Sequence, residues 1–414
     1  MNKILQYLKG IGPGIFAIGY TIGTGSVTAM VVAGSQYGMQ LLWVLFLSCL
    51  FSWVLMEAYG RYYLVTGETA LYSFKKRFKF GKIISLLIIV GVSFGQWNSL
   101  IGILGISSNA IFETLVLYFP ALAGNEYLGI LTIAVLIIGI MYTVLLKGSY
   151  SLFENILIIF VSLMGISFLL SFFVVLPPPG AVVAGMIPSI PQVEGGRMLV
   201  AAFVGTTMAA ATFLSRPLFI QGKNWTKENM QDQSRDAMWA AILIFCISGA
   251  IMAVAMGAFF EEGKVVTRVL DMVETLEPIA GRFAIVIFFM GTLAAGLSSI
   301  FPIIMIAPLL IADYQKGELD IKSTQFKVIT GIACLVGLTV PVLGVNPINA
   351  QILTQVFNVF ILPLVIISML ILINKKELMG EHKAGIILNA GMVSALIFAC
   401  IISWNGLMAI IEKF

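Results

Sequence analysis

The segment GYTIGTGSVTAM, residues 19–30, interrupts the first long apolar run of the chain with the closely spaced glycines Gly23 and Gly25 and several hydroxyls. Gly23 and Gly25 each lower helix propensity by roughly 1 kcal/mol relative to alanine. Ser26 is a favourable N-cap for a helix that restarts after them, and Thr24 adds a further hydroxyl. The stretch therefore predicts a broken helix or, as the alternative, a close contact with a neighbouring helix through small residues.

The composition is that of a helical membrane protein. The chain has 414 residues, of which 59% are hydrophobic and 11% are charged, and its mean hydropathy is +1.02. Soluble proteins carry far more charge than this. Apolar runs long enough to cross about 30 Å of hydrocarbon recur along the whole chain. We predict eleven spans, at residues 11–38, 41–64, 81–112, 127–146, 153–176, 197–221, 236–259, 279–312, 325–343, 349–373 and 385–411.

The basic residues of the loops give these spans an orientation. Nineteen of the 24 Lys and Arg residues lie in segments that face the cytoplasm if the N-terminus does, and five lie on the other side. Because positively charged loops stay inside, we predict a multi-pass protein of the cell inner (plasma) membrane. Its N-terminus is expected in the cytoplasm and its C-terminus outside.

The sixth predicted span is also unusual. Its segment FVGTTMAAATFLSRPLFIQG, residues 203–222, contains three threonines followed by Arg216 and Pro217. Pro217 has no N–H to donate and is expected to kink or break the helix, with Thr212 as a cap for the inner half. Interrupted spans at positions one and six predict two inverted five-helix repeats that hold a substrate between them at the midplane.

We therefore predict one all-α transmembrane transporter domain over residues 1–414. The first repeat is expected at about 11–176, the second at about 197–373, and an extra helix at about 385–411.

Other functional classes find no support in the sequence. There is no P-loop for ATP, and the single histidine and four scattered cysteines predict neither a catalytic triad nor a zinc site. We expect no enzyme activity, no cofactor and no nucleic-acid binding, since the net charge of +4 reflects the loops. The expected partners are a small ion or small-molecule substrate and membrane lipid, with no obvious protein partner.

Seven segments, in order along the chain, resemble segments of the NRAMP family of proton-coupled divalent metal transporters. They are GPG (12–14), AGSQYGMQLLWVL (33–45), VTGE (65–68), FENILIIFVSLMGISFLL (153–170), VGTTM (204–208), GTLAAGLSS (291–299) and TQVFNVFILP (354–363). The resemblance implies the LeuT-type fold, with two inverted five-helix repeats plus an eleventh helix. It also implies secondary transport of metal ions by alternating access.

The resemblance fails where the family binds its metal. The family's first broken helix carries Asp-Pro-Gly-Asn and its sixth helix carries Met-Pro-His. At the positions of the metal-binding Asp, Asn and Met, this sequence has Gly23, Ser26 and Ala209.

Other family positions also match residues of this chain. A further family histidine in helix 6 matches Arg216, and acidic residues of the family's proton route match Asn98 and Ile101. A family glutamine that can face the ion matches Gln355, and a family glutamate at the start of helix 5 matches Glu154.

The missing ligands leave three interpretations open. A thioether suits soft transition metals and a carboxylate balances the charge of the ion, so we do not expect selection of manganese or iron. The first interpretation is a hydrated cation such as magnesium, which keeps several of its waters. The second is a small organic or amino-acid-like solute, whose carboxylate would meet free N–H groups at the helix break. The third is a non-transporting relative that acts as a sensor or scaffold.

The candidate residues fall into two groups, and the identity of any bound metal stays open. The candidate substrate-binding residues are Gly23, Thr24, Gly25, Ser26, Thr206, Thr207, Ala209, Thr212 and Gln355. The candidate pathway residues are Gln96, Asn98, Arg216 and Asn358. For the helix 3 amides the alternative is hydrogen bonding between helices. For Arg216 the alternative is that the side chain extends toward cytosolic water.

Overall fold

The computed structural model describes residues 12–189, 196–260, 277–343 and 347–413, and in these ranges it is helical without strands. The α-helices are Gly14–Thr21, Thr24–Tyr37, Leu42–Thr66, Ala70–Arg77, Gly81–Tyr118, Glu126–Leu146, Tyr150–Val174, Pro179–Gly185, Gly196–Thr207, Ala210–Gly222, Met230–Ala255, Glu277–Lys316, Thr324–Gly337, Thr339–Leu343, Pro347–Phe357, Leu362–Ile373, Lys376–Met379 and Ile386–Lys413.

The number of spans agrees with the prediction. Within the described ranges, ten spans are long and apolar enough to cross a membrane, and one bent helix pair makes eleven if it counts as a single span. We number them 1 to 11 in chain order, the bent pair being span 1. Span 3 is longer than predicted, because the helix Gly81–Tyr118 continues past residue 112.

Span 1 is broken where the glycines predict a break. Its first half, Gly14–Thr21, and its second half, Thr24–Tyr37, are bent by 55° relative to each other. Gly23 is the N-cap residue in an extended conformation, and its carbonyl accepts the N–H of Val27 at 2.9 Å. The prediction that Ser26 caps this half is wrong, because Ser26 already lies in its first turn.

Span 6 is interrupted earlier than predicted. The helices Gly196–Thr207 and Ala210–Gly222 are separated at Met208 and Ala209, where Ala209 has an extended backbone. The predictions of a break at Pro217 and a cap at Thr212 are wrong, since both residues lie inside the second helix. At the observed break the carbonyl of Thr207 accepts the hydroxyl of Ser52 from span 2 at 3.0 Å, which supplies a partner for a buried carbonyl at a helix end.

A third interruption, in span 10, was not predicted. This span consists of Pro347–Phe357 and Leu362–Ile373, with a turn over residues 358–361. The sequence NVFILP shows no glycine there, and the only proline lies in the first turn of the second helix, where proline is well tolerated.

Spans 1, 6 and 8 form the centre of the bundle. The most apolar window of span 6 is 100% buried and that of span 8 is 89% buried, whereas those of spans 4 and 11 are each 28% buried. The two halves of span 1 are almost entirely buried as well. Spans 4 and 11 therefore present most of their surface to lipid, and the interrupted helices 1 and 6 lie where lipid cannot reach their free backbone groups.

Candidate substrate site between spans 1 and 6

A small cavity lies between the breaks in spans 1 and 6. Its volume of about 10 Å³ is enough for about one water molecule. Spans 3, 8 and 10 complete its wall. The lining residues are Tyr20, Gly23, Gly25, Ser26, Gln96, Ser99, Ile103, Gly205, Thr206, Ala209, Ser299, Ile303 and Gln355.

Seven of the candidate residues line this cavity. They are Gly23, Gly25, Ser26, Gln96, Thr206, Ala209 and Gln355. The other six candidates do not line it in this conformation: Thr24, Asn98, Thr207, Thr212, Arg216 and Asn358. Whether the lining residues bind a substrate stays a prediction.

The candidates that do not line the cavity have other surroundings. Thr24 is fully buried beside Gly296 of span 8. The hydroxyl of Thr207 donates to the carbonyl of Phe203 in its own helix at 2.7 Å. Asn98 donates to the carbonyl of Phe94, also in its own helix, at 2.7 Å. Thr212 is buried in the first turn of the second half of span 6.

Asn358 acts behind the cavity wall. It lies at the break in span 10, and its Nδ2 donates to Oε1 of Gln355 at 2.9 Å and to Oγ of Ser99 at 3.2 Å. Its Oδ1 accepts the Nε2 of Gln96 at 3.2 Å. Because all three partners line the cavity, Asn358 sets the orientation of the amides that face the cavity.

Two hydroxyls hold the carbonyl end of the first half of span 1. The hydroxyl of Ser299 in span 8 donates to the carbonyl of Gly19 at 2.5 Å, and that of Thr206 in span 6 donates to the carbonyl of Thr21 at 3.0 Å. A helix end without intrahelical partners needs such donors when it is buried. Spans 6 and 8 therefore stabilise the break in span 1.

The glycines at the break allow these neighbours to approach. A Cβ on Gly23 would lie 2.3 Å from Oγ of Ser299. A Cβ on Gly25 would lie 2.3 Å from the Nε2 atoms of both Gln351 and Gln355. A Cβ on Gly23 would also lie 2.7 Å from Cβ of Ser299, whereas one on Gly25 would displace the flexible ends of two glutamines, so packing favours glycine at both positions and most strongly at Gly23. Neither glycine has a backbone conformation that only glycine adopts.

The electrostatics of the cavity come from dipoles and not from charged side chains. None of its lining residues is acidic, and none is a methionine, histidine or cysteine. Both second halves, of spans 1 and 6, begin without a side-chain cap. In span 6 the N–H of Thr212 donates to the carbonyl of Ala209 at 3.0 Å, and the N–H groups before it in the first turn have no intrahelical acceptor. Helix N-termini of this kind favour anions, whereas the carbonyl end of the first half of span 1 favours cations. Within the described ranges, no group of three or more His, Cys, Asp or Glu side chains is placed to hold a metal ion.

Arg216 lies away from the cavity in a buried polar network. Its guanidinium donates to Oδ2 of Asp236 at 2.8 Å and to Oε1 of Gln233 at 2.7 Å, both on span 7. The side chain is only 1% exposed. In this conformation Arg216 reaches neither the cavity nor water and binds a carboxylate instead. Its place on the transport pathway stays a prediction.

The same network joins four spans. Nε2 of Gln233 donates to Oε2 of Glu57 on span 2 at 3.0 Å, and Glu57 pairs with Arg61 at 2.6 Å. Oδ2 of Asp236 accepts the N–H of Gly14, the first residue of span 1, at 2.8 Å. Spans 1, 2, 6 and 7 are thus tied together at the end that the basic loops predict to be cytoplasmic.

Several lining residues escaped the sequence analysis. They are Tyr20, Ser99, Ile103, Gly205, Ser299 and Ile303. A signal existed for two of them, since Gly205 lies in the segment VGTTM and Ser299 closes the segment GTLAAGLSS, both of which resemble the family. For Tyr20 and the two isoleucines, only the packing of the helices reveals the position.

A cavity enclosed between two interrupted central spans, in a bundle of ten or eleven, defines a multi-pass membrane transporter of the LeuT-type fold. The comparison with family models narrows this class. Residues 14–410 match the model described as natural resistance-associated macrophage protein-like, and the chain belongs to this NRAMP family.

Curated relatives agree with this assignment. The chain is 24% identical over 377 residues to the divalent metal cation transporter MntH of Acidiphilium cryptum, a match that covers 89% of this chain and 83% of the relative. It is 27% identical over 201 residues to MntH of Clostridium acetobutylicum, covering 47% of this chain and 45% of the relative.

Solved structures show the same fold. A mutant of the Eremococcus coleocola manganese transporter superposes with a TM-score of 0.73 at 16% identity, covering 98% of this chain and 87% of that one. MhsT in complex with L-phenylalanine superposes with a TM-score of 0.58 at 15% identity, covering 98% of each chain. The predicted fold and family are confirmed.

Proposed function

We propose that this chain is a secondary transporter of the plasma membrane whose substrate is a divalent cation carried with its hydration waters, such as magnesium. Family membership and relatives named as divalent metal cation transporters support an ion as substrate. One observation carries the proposal on selectivity: the cavity between spans 1 and 6 is lined by hydroxyls, amides, backbone groups and two isoleucines, without an acidic, thioether, thiol or imidazole side chain.

The physical argument concerns the cost of dehydration. Burying an isolated ion in a medium of low dielectric constant costs on the order of tens of kcal/mol, and here no carboxylate offsets that cost. An ion that keeps its inner waters loses much less of its solvation, and magnesium releases water reluctantly. The waters of a bound cation donate hydrogen bonds, and the hydroxyl of Ser26 and the Oε1 of Gln96 have no protein partner among the described residues. Both atoms are available as acceptors.

Transport requires this site to open. A space for about one water molecule is too small for a hydrated ion, so the conformation described is closed around the site. We propose that the halves of spans 1 and 6 move against the remaining helices to open it alternately to either side. The distribution of basic residues supports a cytoplasmic N-terminus and an external C-terminus, and we retain the division into repeats at about 11–176 and 197–373.

Flux measurements in liposomes test the proposal. Purified protein is reconstituted into liposomes that enclose a magnesium-sensitive or a manganese-sensitive dye. Uptake is measured as a function of the external concentration of the ion. Saturable magnesium uptake at millimolar concentration is expected, with no saturable manganese uptake at micromolar concentration. Ser26→Ala is expected to reduce magnesium uptake. The matched control Ser35→Ala, which removes a buried hydroxyl on the same helix that bonds to Val32 of its own backbone, is expected to leave uptake unchanged.

A second candidate is a small organic or amino-acid-like solute. The observation that favours it is the uncapped N-terminus of the second half of span 1 beside Gly23, whose free N–H groups would donate hydrogen bonds to a carboxylate. Thermal unfolding in the presence of magnesium, calcium and a panel of amino acids separates the two. Stabilisation by an amino acid that is lost in Gly25→Val would favour the solute. If no compound changes the unfolding temperature, the result would favour a non-transporting relative.

A further inference from the structure

A second and much larger space lies on the side of the bundle. It is a groove of about 900 Å³ between spans 5 and 7, and the first half of span 1 forms its floor through Gly14, Ile15 and Ile18. Side chains along its edges are exposed, with Trp239 57% exposed and Ile166 60% exposed. A groove that opens at the apolar depth of spans 5 and 7 faces lipid.

The groove has an apolar part and a polar end. Val161, Gly165, Ile166, Leu169, Leu243 and Ile247 line the apolar part. Trp225, Asp232, Arg235 and Asp236 line the end nearest the start of span 7. From Asp236 to Ile247 the helix rises by about 16 Å, about half of the 30 Å hydrocarbon core. The groove therefore has the length and polarity of one leaflet.

The charges at the polar end are not equally available. Asp236 is already occupied by Arg216 and by the N–H of Gly14. Arg235 is exposed and has no ion pair among the described residues. Asp232, also exposed, lies three residues before it on the same face of the helix and accepts only a neutral amide, that of Asn229 at 3.1 Å.

This arrangement fits a headgroup that carries both signs. A guanidinium binds phosphate through paired N–H groups, and a carboxylate binds a primary ammonium through charge-assisted hydrogen bonds. A headgroup with a phosphate and no positive charge would place its negative charge next to the carboxylates of Asp232 and Asp236. A quaternary ammonium has no N–H to donate to Asp232. Trp239, between the polar and apolar parts, is of the type enriched at membrane interfaces.

We propose that this groove binds one aminophospholipid, with an acyl chain along spans 5 and 7, its phosphate on Arg235 and its primary ammonium on Asp232. The lipid packs on the first half of span 1 and stabilises the closed position of that half. The proposal does not depend on what the central cavity carries.

Lipid binding to the full-length protein tests the proposal. The protein is purified in detergent, and phosphatidylethanolamine, phosphatidylcholine and phosphatidylglycerol with identical acyl chains are titrated in native mass spectrometry and thermal unfolding. Phosphatidylethanolamine is expected to bind about tenfold more tightly than the other two, since one charge-assisted contact corresponds to about that factor. It is also expected to give the largest rise in unfolding temperature.

Variants locate the binding to the groove. Gly165→Leu fills the apolar part and is expected to abolish the preference, whereas Gly139→Leu, at a lipid-facing glycine with open space around it, is expected to retain it. Arg235→Gln and Asp232→Asn are each expected to weaken phosphatidylethanolamine binding about tenfold, and Lys322→Gln, at an exposed lysine outside the groove, is expected to leave it unchanged.

Equal binding of the three lipids would overturn the proposal. So would an equal effect of Gly165→Leu and Gly139→Leu, or unchanged binding in both headgroup variants. If Gly165→Leu does not fold, the two headgroup variants still decide the outcome.

Discussion

The buried pair of Arg216 and Asp236 allows a quantitative test of the inner network. Arg216 is 1% exposed, and its NH2 nitrogen lies 2.8 Å from Oδ2 of Asp236. Removing one partner of a buried ion pair costs about 3–5 kcal/mol, because the remaining charge is left without compensation. In Arg216→Met, Asp236 keeps the N–H of Gly14 and some contact with water, since its side chain is 12% exposed. We therefore expect Arg216→Met to lower the free energy of unfolding by an amount near the lower limit of that range.

A double-mutant cycle isolates the pair itself. Asp236→Asn leaves the Arg216 charge buried among Gln233 and Met56, and is expected to cost at least as much as Arg216→Met. The double variant is expected to cost about 1–3 kcal/mol less than the sum of the single variants, as contacting residues do. Unfolding in mixed micelles, followed by tryptophan fluorescence, supplies the free energies.

An exposed pair elsewhere in the chain serves as the control. Arg197 and Glu412 pair at 2.6 Å, and their side chains are 50% and 55% exposed. Arg197→Met is expected to cost less than about 1 kcal/mol, because water screens such pairs. Single effects of Arg216 and Asp236 that add within about 0.5 kcal/mol would refute the coupling inferred from the structure.

Three further predictions concern the site and one loop. Gly23→Ala is expected to lower the free energy of unfolding by about 1–3 kcal/mol, because its Cβ would lie 2.3 Å from Oγ of Ser299; Gly139→Ala, which meets nothing within 4 Å, is the control, and equal unfolding curves would contradict the packing argument. A triple variant restores two metal ligands, through Gly23→Asp and Ala209→Met, and makes room for them through Ser299→Gly. We expect it to bind manganese in a calorimetric titration. If it gives no binding heat, the missing ligands are not the cause of the selectivity. Burial alone would raise the pKa of Glu68, but its ion pairs with basic neighbours keep the pKa below the usual value of 4.5. The stability that it contributes is thus present above pH 4.5 and is lost as the pH falls through the lowered pKa of Glu68. Glu68→Gln is expected to flatten this acidic part of the unfolding profile.

The sequence predicted the elements that composition and glycine determine. Eleven spans follow from apolar length, and the break at Gly23 follows from helix propensity. The break in span 10 escaped because a tertiary contact contributes to it: besides Gln355, three residues before it, the amide of Asn358 donates to Ser99 of span 3, which becomes its neighbour only after folding.

The surroundings of Arg216 show a second limit of the sequence. An arginine inside an apolar run requires an anion, and Asp236 stands at the start of the next predicted span on the same side of the membrane. The pairing of Arg216 with Asp236 could therefore have been predicted from the sequence. The role of Ser299 was not, because a serine in a small-residue stretch is equally compatible with simple helix packing.

The most direct test of the central claim is a calorimetric titration of the purified protein with manganese. A cavity of hydroxyls, amides and helix dipoles is predicted to give no binding heat at micromolar manganese. Stoichiometric binding at micromolar concentration that disappears in Ser26→Ala and persists in Ser35→Ala would contradict it.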